Sequence, residues 1–512
     1  FFILLIACFN FVNLATSRSL QRAKEVGVRK TIGAGRVQLI VQFICESILF
    51  AAISMVLSVI ATGLLLPSLN AFTEKEMQLD ILTNPLVAVA LLVLTLLVGI
   101  VAGFYPALVL SGFQPVKVLK GSRADALPGR TPWLRHGLVV IQFSLSILLI
   151  ISAIVVIRQV SYMHGKDLGF RKEQILFLPM RGENLQKNYA SFKNELLKYP
   201  GVTAVSIGYG FPGDMFGDGM MTVKEKPALE PKRATQLMVD EDYIKTLGLS
   251  LLAGRDFSKA IQSDERAYII NETAIKEFGL GTPQEAVGKT LSWPTWRKAD
   301  SLKTGPIIGV VKDFHYKSLY ERVEPAVLHI YPEAYSKIAV KLKSENIETE
   351  IAGMKNLWNK FSPDFPIEYN FLDESFRKMY KTEDKLKTLL SLFTFITIFV
   401  ACLGLLGLTA YAAERRKKEL GIRKVLGATA QGIVVLLSKD FIKLVLIAII
   451  IASPIAYYFM NKWLESFAYR INIAWWMFAV AAMFAMLLAL LTISLQAVKA
   501  ALSNPIKNLR TE

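Results

Sequence analysis

Lys24-Glu-Val-Gly-Val-Arg-Lys-Thr-Ile-Gly-Ala34 returns 394 residues later as Lys418-Glu-Leu-Gly-Ile-Arg-Lys-Val-Leu-Gly-Ala428. Both copies fit K-E-x-G-x-R-K-x-x-G-A throughout. The same offset lays Glu46 over Asp440, each a short way into the next apolar block. Near the ends, Pro115-Val-Lys-Val-Leu-Lys120 aligns with Pro505-Ile-Lys-Asn-Leu-Arg510. Each copy runs span, basic loop, span, short loop, span, Pro-containing basic tail. Self-similarity of this kind marks two three-helix units of the same orientation, related in parallel.

Outward from the repeat, apolar blocks cover 1–14, 41–66, 86–110, 136–157, 387–411, 437–460 and 474–496. Most have the length a helix needs to cross a bilayer, about 20 residues. The first is shorter, lacks an initiator Met and is followed, not preceded, by its positive charges, unlike a signal peptide. Phe1 therefore reads as a cut inside a transmembrane helix, and an upstream part is expected.

With 53% hydrophobic and 20% charged residues in 512, the chain is a polytopic α-helical membrane protein of about seven apolar spans, the first truncated. Disorder, collagen and disulfide scaffolds are excluded. Of the net charge of +17, +15 sits in segments 15–40, 111–135, 412–436 and 497–512, all beside apolar blocks. That is the pattern of cytoplasmic loops, not of a nucleic-acid surface. The loops at 67–85 and 461–473 suit the opposite side, and alternation through the blocks puts 158–386 outside the cytoplasm. Cys8, Cys45 and Cys402 lie in or beside apolar blocks without metal-site spacing, so they read as small hydrophobes.

Residues 158–386 read as one large α+β extracytoplasmic domain. Gln174–Pro179 and Pro306–Val311 have the pattern of strands, Tyr189–Tyr199 and Glu350–Trp358 that of helices, and the glycines of Gly208–Gly219 mark loops. The flanks 158–168 and 376–386 are polar and extend the neighbouring helices outward as stalks. The organisation is thus 1–135, a first three-helix unit with a truncated first helix; 136–157, a transmembrane helix; 158–386, the outer domain with stalks; and 387–512, a second three-helix unit.

In the repeated motif, Lys24, Glu25, Arg29 and Lys30 make a compact amphipathic turn beside the membrane. Val26, Val28 and Ile32, and in the second copy Leu420, Ile422 and Leu426, supply an apolar side. Gly33 and Gly427 end a short helix or permit close backbone approach. A basic loop that anchors to lipid headgroups needs charge alone; it does not need the same glycines, acid and spacing twice. A docking surface for a partner with two similar sites accounts for the duplication.

These loops, the three-helix units and the large outer domain resemble the FtsX/MacB-type permease family of ABC transporters. Leu252-Ala-Gly-Arg-Asp-Phe-Ser258, Ile269-Ile-Asn-Glu-Thr-Ala274 and Gly309-Val-Val-Lys-Asp-Phe-His315 are similar to segments of the MacB-like periplasmic core domain. The resemblance implies that the motif loops dock on a cytoplasmic ABC ATPase subunit. By position the docking residues are Lys24, Glu25, Gly27, Arg29, Lys30 and Gly33, with Lys418, Glu419, Gly421, Arg423, Lys424 and Gly427. It implies a bacterial plasma (inner) membrane location and export or release of a peptide, drug, lipopeptide or lipoprotein at the outer face. ATP and Mg are expected on the partner subunit and no cofactor on this chain. A second permease copy and a periplasmic adaptor are further partners of the kind this family uses. The rival reading is an ABC-linked regulatory protein whose outer domain activates a partner such as a cell-wall hydrolase.

Catalysis by this chain is not expected. Gly288-Lys-Thr290 lacks the earlier glycine of a phosphate loop, Pro283 standing in its place. Asp313 and His315 share a face of an extended segment without a third ligand, so no metal site is expected. Glu46 and Asp440 are intramembrane acids, read either as proton carriers or as salt-bridge partners of the basic loop or Lys443.

Overall fold

The computed structural model describes residues 2–19, 23–80, 84–112, 131–214, 216–295, 302–343, 347–415, 419, 422–423, 425–426 and 429–502. The chain divides into two units, one of 1–158, 383–463 and 472–512, the other of 159–382 and 464–471. The first unit begins with α1 (Phe2–Ser19), α2 (Ala23–Thr31), α3 (Arg36–Thr73) and α4 (Pro85–Ser111), and α5 (Thr131–Gly165) runs on into the second.

The second unit is the α+β domain. It contains β1 (Ile175–Pro179), α6 (Tyr189–Leu196), β2 (Val202–Tyr209), β3 (Gly217–Val223), β4 (Lys232–Val239), α7 (Tyr243–Leu247) and β5 (Leu251–Gly254). These are followed by β6 (Tyr268–Asn271), α8 (Glu272–Glu277), β7 (Thr290–Pro294), β8 (Leu302–Val311), β9 (Ala326–His329), β10 (Lys337–Leu342), α9 (Ile347–Phe361), β11 (Asn370–Phe371) and α10 (Leu372–Met379). Returning to the first unit, the chain forms α11 (Lys381–Arg415), α12 (Ala430–Leu464) and α13 (Trp475–Leu502).

The domain has two lobes. Strands β11-β1-β10-β2 make an antiparallel sheet, which joins the rest through Gly208↔Val239 and Tyr209↔Met238. β1 is buried on both faces because Leu176 and Leu178 face Phe192 of α6 and Trp358 of α9, while Phe177 meets Phe211 at 5.0 Å. The other lobe closes on itself: β4-β3-β7-β8-β6-β9 returns to β4 by the parallel pairing Thr235↔Ala326 through Met238↔His329. Closure removes the exposed edges that an open sheet leaves. Trp293, Tyr268, Phe278 and Met238 fill this barrel.

The glycine-rich run read as loop from Gly208 to Gly219 is partly strand, with Gly208 in β2 and Gly217 and Gly219 in β3. Packing sets the glycine at 219. A Cβ there would stand 2.8 Å from Trp293 Cδ1, so the largest core side chain occupies the space a side chain would need.

Lys303 lies against the same barrel. Its ammonium donates to Ile330 O at 2.5 Å and stands 3.3 Å from His329 Nδ1. Burial lowers Lys303 to about 7, with Glu265 opposing, and burial together with Lys303 holds His329 well below its ordinary value. The unfolded chain binds both protons more tightly, so stability rises with pH: through the His329 range near 6.5 and again from about 7 to the ordinary lysine value of 10.5. We expect unfolding of the domain in the full chain to move to higher temperature from pH 7 to 9.5. The Lys303 share approaches about 1.4 kcal/mol per pH unit at most. Lys303→Met should flatten this part of the profile in calorimetric scans; an unchanged slope would contradict the assignment.

In the helical unit, five helices among the described residues are long and apolar enough to cross a membrane: Arg36–Thr73, Pro85–Leu108, His136–Gly165, Lys381–Glu414 and Trp475–Val498. α1 contributes the shorter apolar stretch Phe2–Ala15, and α12 covers the 437–460 block. α5 is the innermost of the five, with 67% of its apolar window buried, against 0% for α3. Gln142 Nε2 donates to Ala401 O (3.3 Å), Thr394 Oγ1 to Leu149 O (3.3 Å) and Ser144 Oγ to Ala448 O (3.4 Å), tying α5 to α11 and α12.

Small residues set the close contacts. Gly99 and Gly103 of α4 lie against Ile48 and Ser47 of α3, close enough that a Cβ on Gly103 would be 2.6 Å from Ser47 Cβ. Lipid offers no hydrophobic drive between helices, so such close backbone approach carries the association. α1 meets α11 in the same way. Gly404 and Gly407 have no room for a Cβ beside Asn10 and Leu14, and Asn10 Nδ2 donates to Val400 O at 2.7 Å. The 394-residue repeat offset places Asn10 over Gly404. Equivalent positions of the two copies therefore touch, as they must where a two-fold relation passes through a contact.

Gly404→Leu should overpack this seam at a cost of about 1–3 kcal/mol or more. Gly63→Leu is the control, since nothing stands within 4 Å of a Cβ there. Thermal unfolding in maltoside should separate the two; equal unfolding temperatures would mean the seam is not close-packed.

Candidate docking site

α2 is the first copy of the repeated motif, and each motif position has a local physical role. Glu25 and Arg29, one turn apart, pair at 2.8 Å. Ala34 N–H donates to Arg29 O (2.9 Å) and Gly33 N–H to Lys30 O (3.2 Å). This is the paired closure of a Schellman cap, with Gly33 at φ +106° in the position that favours glycine. The terminal Gly-Ala of the motif is thus a helix stop that turns the chain directly into α3. There Gly35 N–H donates to Gln38 Oε1 at 3.0 Å.

The basic side chains brace this arm. Arg29 Nη1 donates to Gln42 Oε1 at 2.7 Å, reaching α3. Lys30 Nζ donates to Ser111 O at 2.6 Å, at the end of α4. Burial, and secondarily Arg36, pulls the Lys30 ammonium below its ordinary value. Val26 and Gly27 are buried. Lys24 falls in the first turn of α2.

The apolar side predicted for the motif is split by the fold. Val26 turns inward, whereas Val28 is 46% exposed and Ile32 81%. In the second copy Glu419 pairs with Arg423 at 2.9 Å, again one turn apart. Ile422 is 52% exposed and Leu426 80%. The two copies thus each present two aliphatic side chains, at the same motif positions and with nearly equal exposure. Lys418, Gly421, Lys424 and Gly427 lie outside the described residues. Glu46 is half-buried on α3 and Asp440 exposed on α12.

A further connection escaped the sequence reading. The 464–471 segment between α12 and α13 packs into the α+β domain. Gln159 grips it at two points, donating from Nε2 to Tyr469 O (3.0 Å) and accepting from Ile471 N (2.9 Å) at Oε1. Ala468 N–H donates to Tyr320 O (3.2 Å) and Tyr469 N–H to Leu319 O (3.3 Å). The Tyr469 ring stands edge-on to His315 at 4.6 Å with the Lys166 ammonium 4.7 Å from its centroid, and Phe467 stacks on Tyr320 at 4.4 Å. The clustered aromatics of 467–469 were the available signal.

The stalk regions differ from each other. α5 continues as unbroken helix to Gly165, whereas the chain breaks at Tyr380 between α10 and α11. Tyr380 Oη accepts from Leu319 N at 2.9 Å, so the side chain at the break is held by the domain.

The residues considered for metal chemistry are engaged otherwise. Asp313 accepts from Thr273 N (3.0 Å) and Thr273 Oγ1 (2.8 Å). The carboxylates of Asp240, Glu241 and Asp242 lie within 4.8 Å of one another. Lys193 meets Asp240 at 2.8 Å and Asp242 at 2.6 Å, and Lys259 meets Glu241 at 2.5 Å, so ammonium groups answer that charge.

Residues 1–115 and 391–505 both match the FtsX-like permease C-terminal family, one match per repeat copy. Both repeat copies are thus FtsX-like permease units, and the comparisons support the FtsX/MacB-type permease family for this chain. It is 26% identical over 116 residues to the macrolide export ATP-binding/permease protein MacB of two Campylobacter jejuni subsp. jejuni strains, 81-176 and NCTC 11168. That match covers 23% of this chain and 18% of each relative. Among solved structures, the periplasmic region of MacB from Actinobacillus actinomycetemcomitans aligns at 15% identity and TM-score 0.29, over 42% of this chain and 97% of that one. The extracellular domain of the noncanonic ABC-type transporter YknZ from Gram-positive bacteria aligns at 18% and 0.27, over 38% and 97%. With these two matches and five helices long and apolar enough to span, the chain is a multi-pass membrane protein, and α2 and its second copy both lie inside the matched residues.

Proposed function

We propose that this chain is the permease subunit of an ABC transporter that works by mechanical transmission. A separate cytoplasmic ATPase grips the two arms, one per repeat copy, and its ATP-driven closure moves them. The observation that carries this reading is the pair of exposed aliphatic side chains Val28 and Ile32, on an arm capped and braced from within, matched by exposed Ile422 and Leu426 at the same positions of the second copy. Apolar side chains projecting into water are costly unless covered, and a partner that presents two like grooves would cover both.

Motion then passes to the domain, which lies outside the cytoplasm of a bacterial plasma (inner) membrane. It travels through continuous α5, through the Tyr380 junction and through the 464–471 segment. Efflux or release of a substrate of the peptide, drug, lipopeptide or lipoprotein kind follows at the outer face. ATP and Mg stay with the partner. The test is reconstitution of the chain with its cognate ATPase in vesicles. ATP-dependent substrate movement that disappears when the arms are altered supports the reading; ATPase activity and movement indifferent to the arms would overturn it.

A further inference from the structure

The 464–471 segment and the domain's 320–322 stretch enclose a cleft of about 410 Å3, lined by Tyr320, Arg322, Glu465, Ser466, Phe467 and Arg470. Its walls are fixed: the Tyr320 and Phe467 rings stack at 4.4 Å, and Ala468 N–H bonds Tyr320 O at 3.2 Å. Arg322 and Arg470 both line it, and among the described residues neither guanidinium has an ion-pair partner. Two guanidiniums lining one cleft suit the oxygens of a phosphate, which a guanidinium can bind through two parallel N–H bonds.

Position narrows the source. Glu465 follows the last residue of α12, and Arg470 precedes α13, which begins at Trp475 and is long and apolar enough to cross a membrane. Five residues reach at most about 17 Å, so Arg470 stays near the headgroup layer of the bilayer α13 enters. Trp475 is 80% exposed, as an interfacial anchor would be.

We propose that this cleft binds a phosphate group, supplied by a phospholipid headgroup or by a free phosphate ester. It thereby places a ligand on the segment that joins α12 and α13 to the domain. The inference uses the membrane reading for the lipid source and does not depend on ATPase docking.

The test is calorimetric titration of the full chain in maltoside micelles with two probes, dihexanoylphosphatidylglycerol and inorganic phosphate. Saturable binding of either, weakened at least tenfold in Arg322→Gln/Arg470→Gln and tightened in Glu465→Gln, is the expected result. The tightening guards against a folding defect, which could only weaken binding. A preference for the lipid assigns the headgroup, and equal binding of inorganic phosphate assigns a free ester. Affinities for both probes that the double variant leaves unchanged would overturn the proposal, as would an unaltered affinity in Glu465→Gln.

Discussion

Ile32→Asp combined with Leu426→Asp should abolish recovery of the cognate ATPase with this chain, with affinity down at least a hundredfold. Each side chain is about four-fifths exposed, so the folded chain has little to lose. Burying an aliphatic side chain of this size contributes roughly 1.5–3 kcal/mol, and a carboxylate carried into an apolar groove adds a desolvation penalty. Two such sites exceed the 2.7 kcal/mol or so that a hundredfold represents. Each single variant should retain intermediate binding because the other arm still docks.

Reversal of Arg29 and Arg423 tests something different. Arg29 bonds Glu25 and Gln42, and Arg423 bonds Glu419, so their reversal removes an intrahelical pair from each arm as well as changing its charge. If the double aspartate variant kept full ATPase binding, the apolar knobs would have no part in the contact, whatever the arginine reversal did.

The motif was readable because its causes are local. An ion pair one turn apart, a glycine stop and a two-fold repeat all leave marks in adjacent residues, and the helices around them follow from runs of apolar residues. What the sequence concealed is non-local. Barrel closure depends on β4 meeting β9 in parallel across nearly 90 intervening residues, and nothing in either strand announces its partner. Val26 and Val28 look alike on paper, yet one is buried and the other exposed, because packing of the arm decides which face turns in. Gly99-x-x-x-Gly103 was open to detection as a small-residue stripe. The contact of Asn10 with Gly404 was not, since it appears only when the repeat is folded back on itself.

Nor did composition reveal the role of 464–471, whose mixed charge suits any short loop. Its contacts lead to the second large effect. Phe467→Ala/Tyr469→Ala should uncouple the domain from the helices without releasing the ATPase. Phe467 is 3% exposed and stacked on Tyr320, while Tyr469 meets His315 and Lys166 and takes a hydrogen bond from Val323 N at 3.4 Å. Deleting a buried aromatic ring costs about 3–5 kcal/mol, enough to loosen a segment of eight residues that the Gln159 amide and two backbone bonds also hold. The domain itself keeps its two cores, neither of which includes these rings. Spin labels at Glu230→Cys in the domain and Lys75→Cys between α3 and α4, in a background with Cys8, Cys45 and Cys402 changed to serine, give a readout independent of substrate. In the otherwise unaltered chain, ATP should shift the distance distribution between them. In the double alanine variant the shift should shrink severalfold while ATP hydrolysis continues at its former rate. A full shift in the variant would mean that α5 and the Tyr380 junction carry the motion alone.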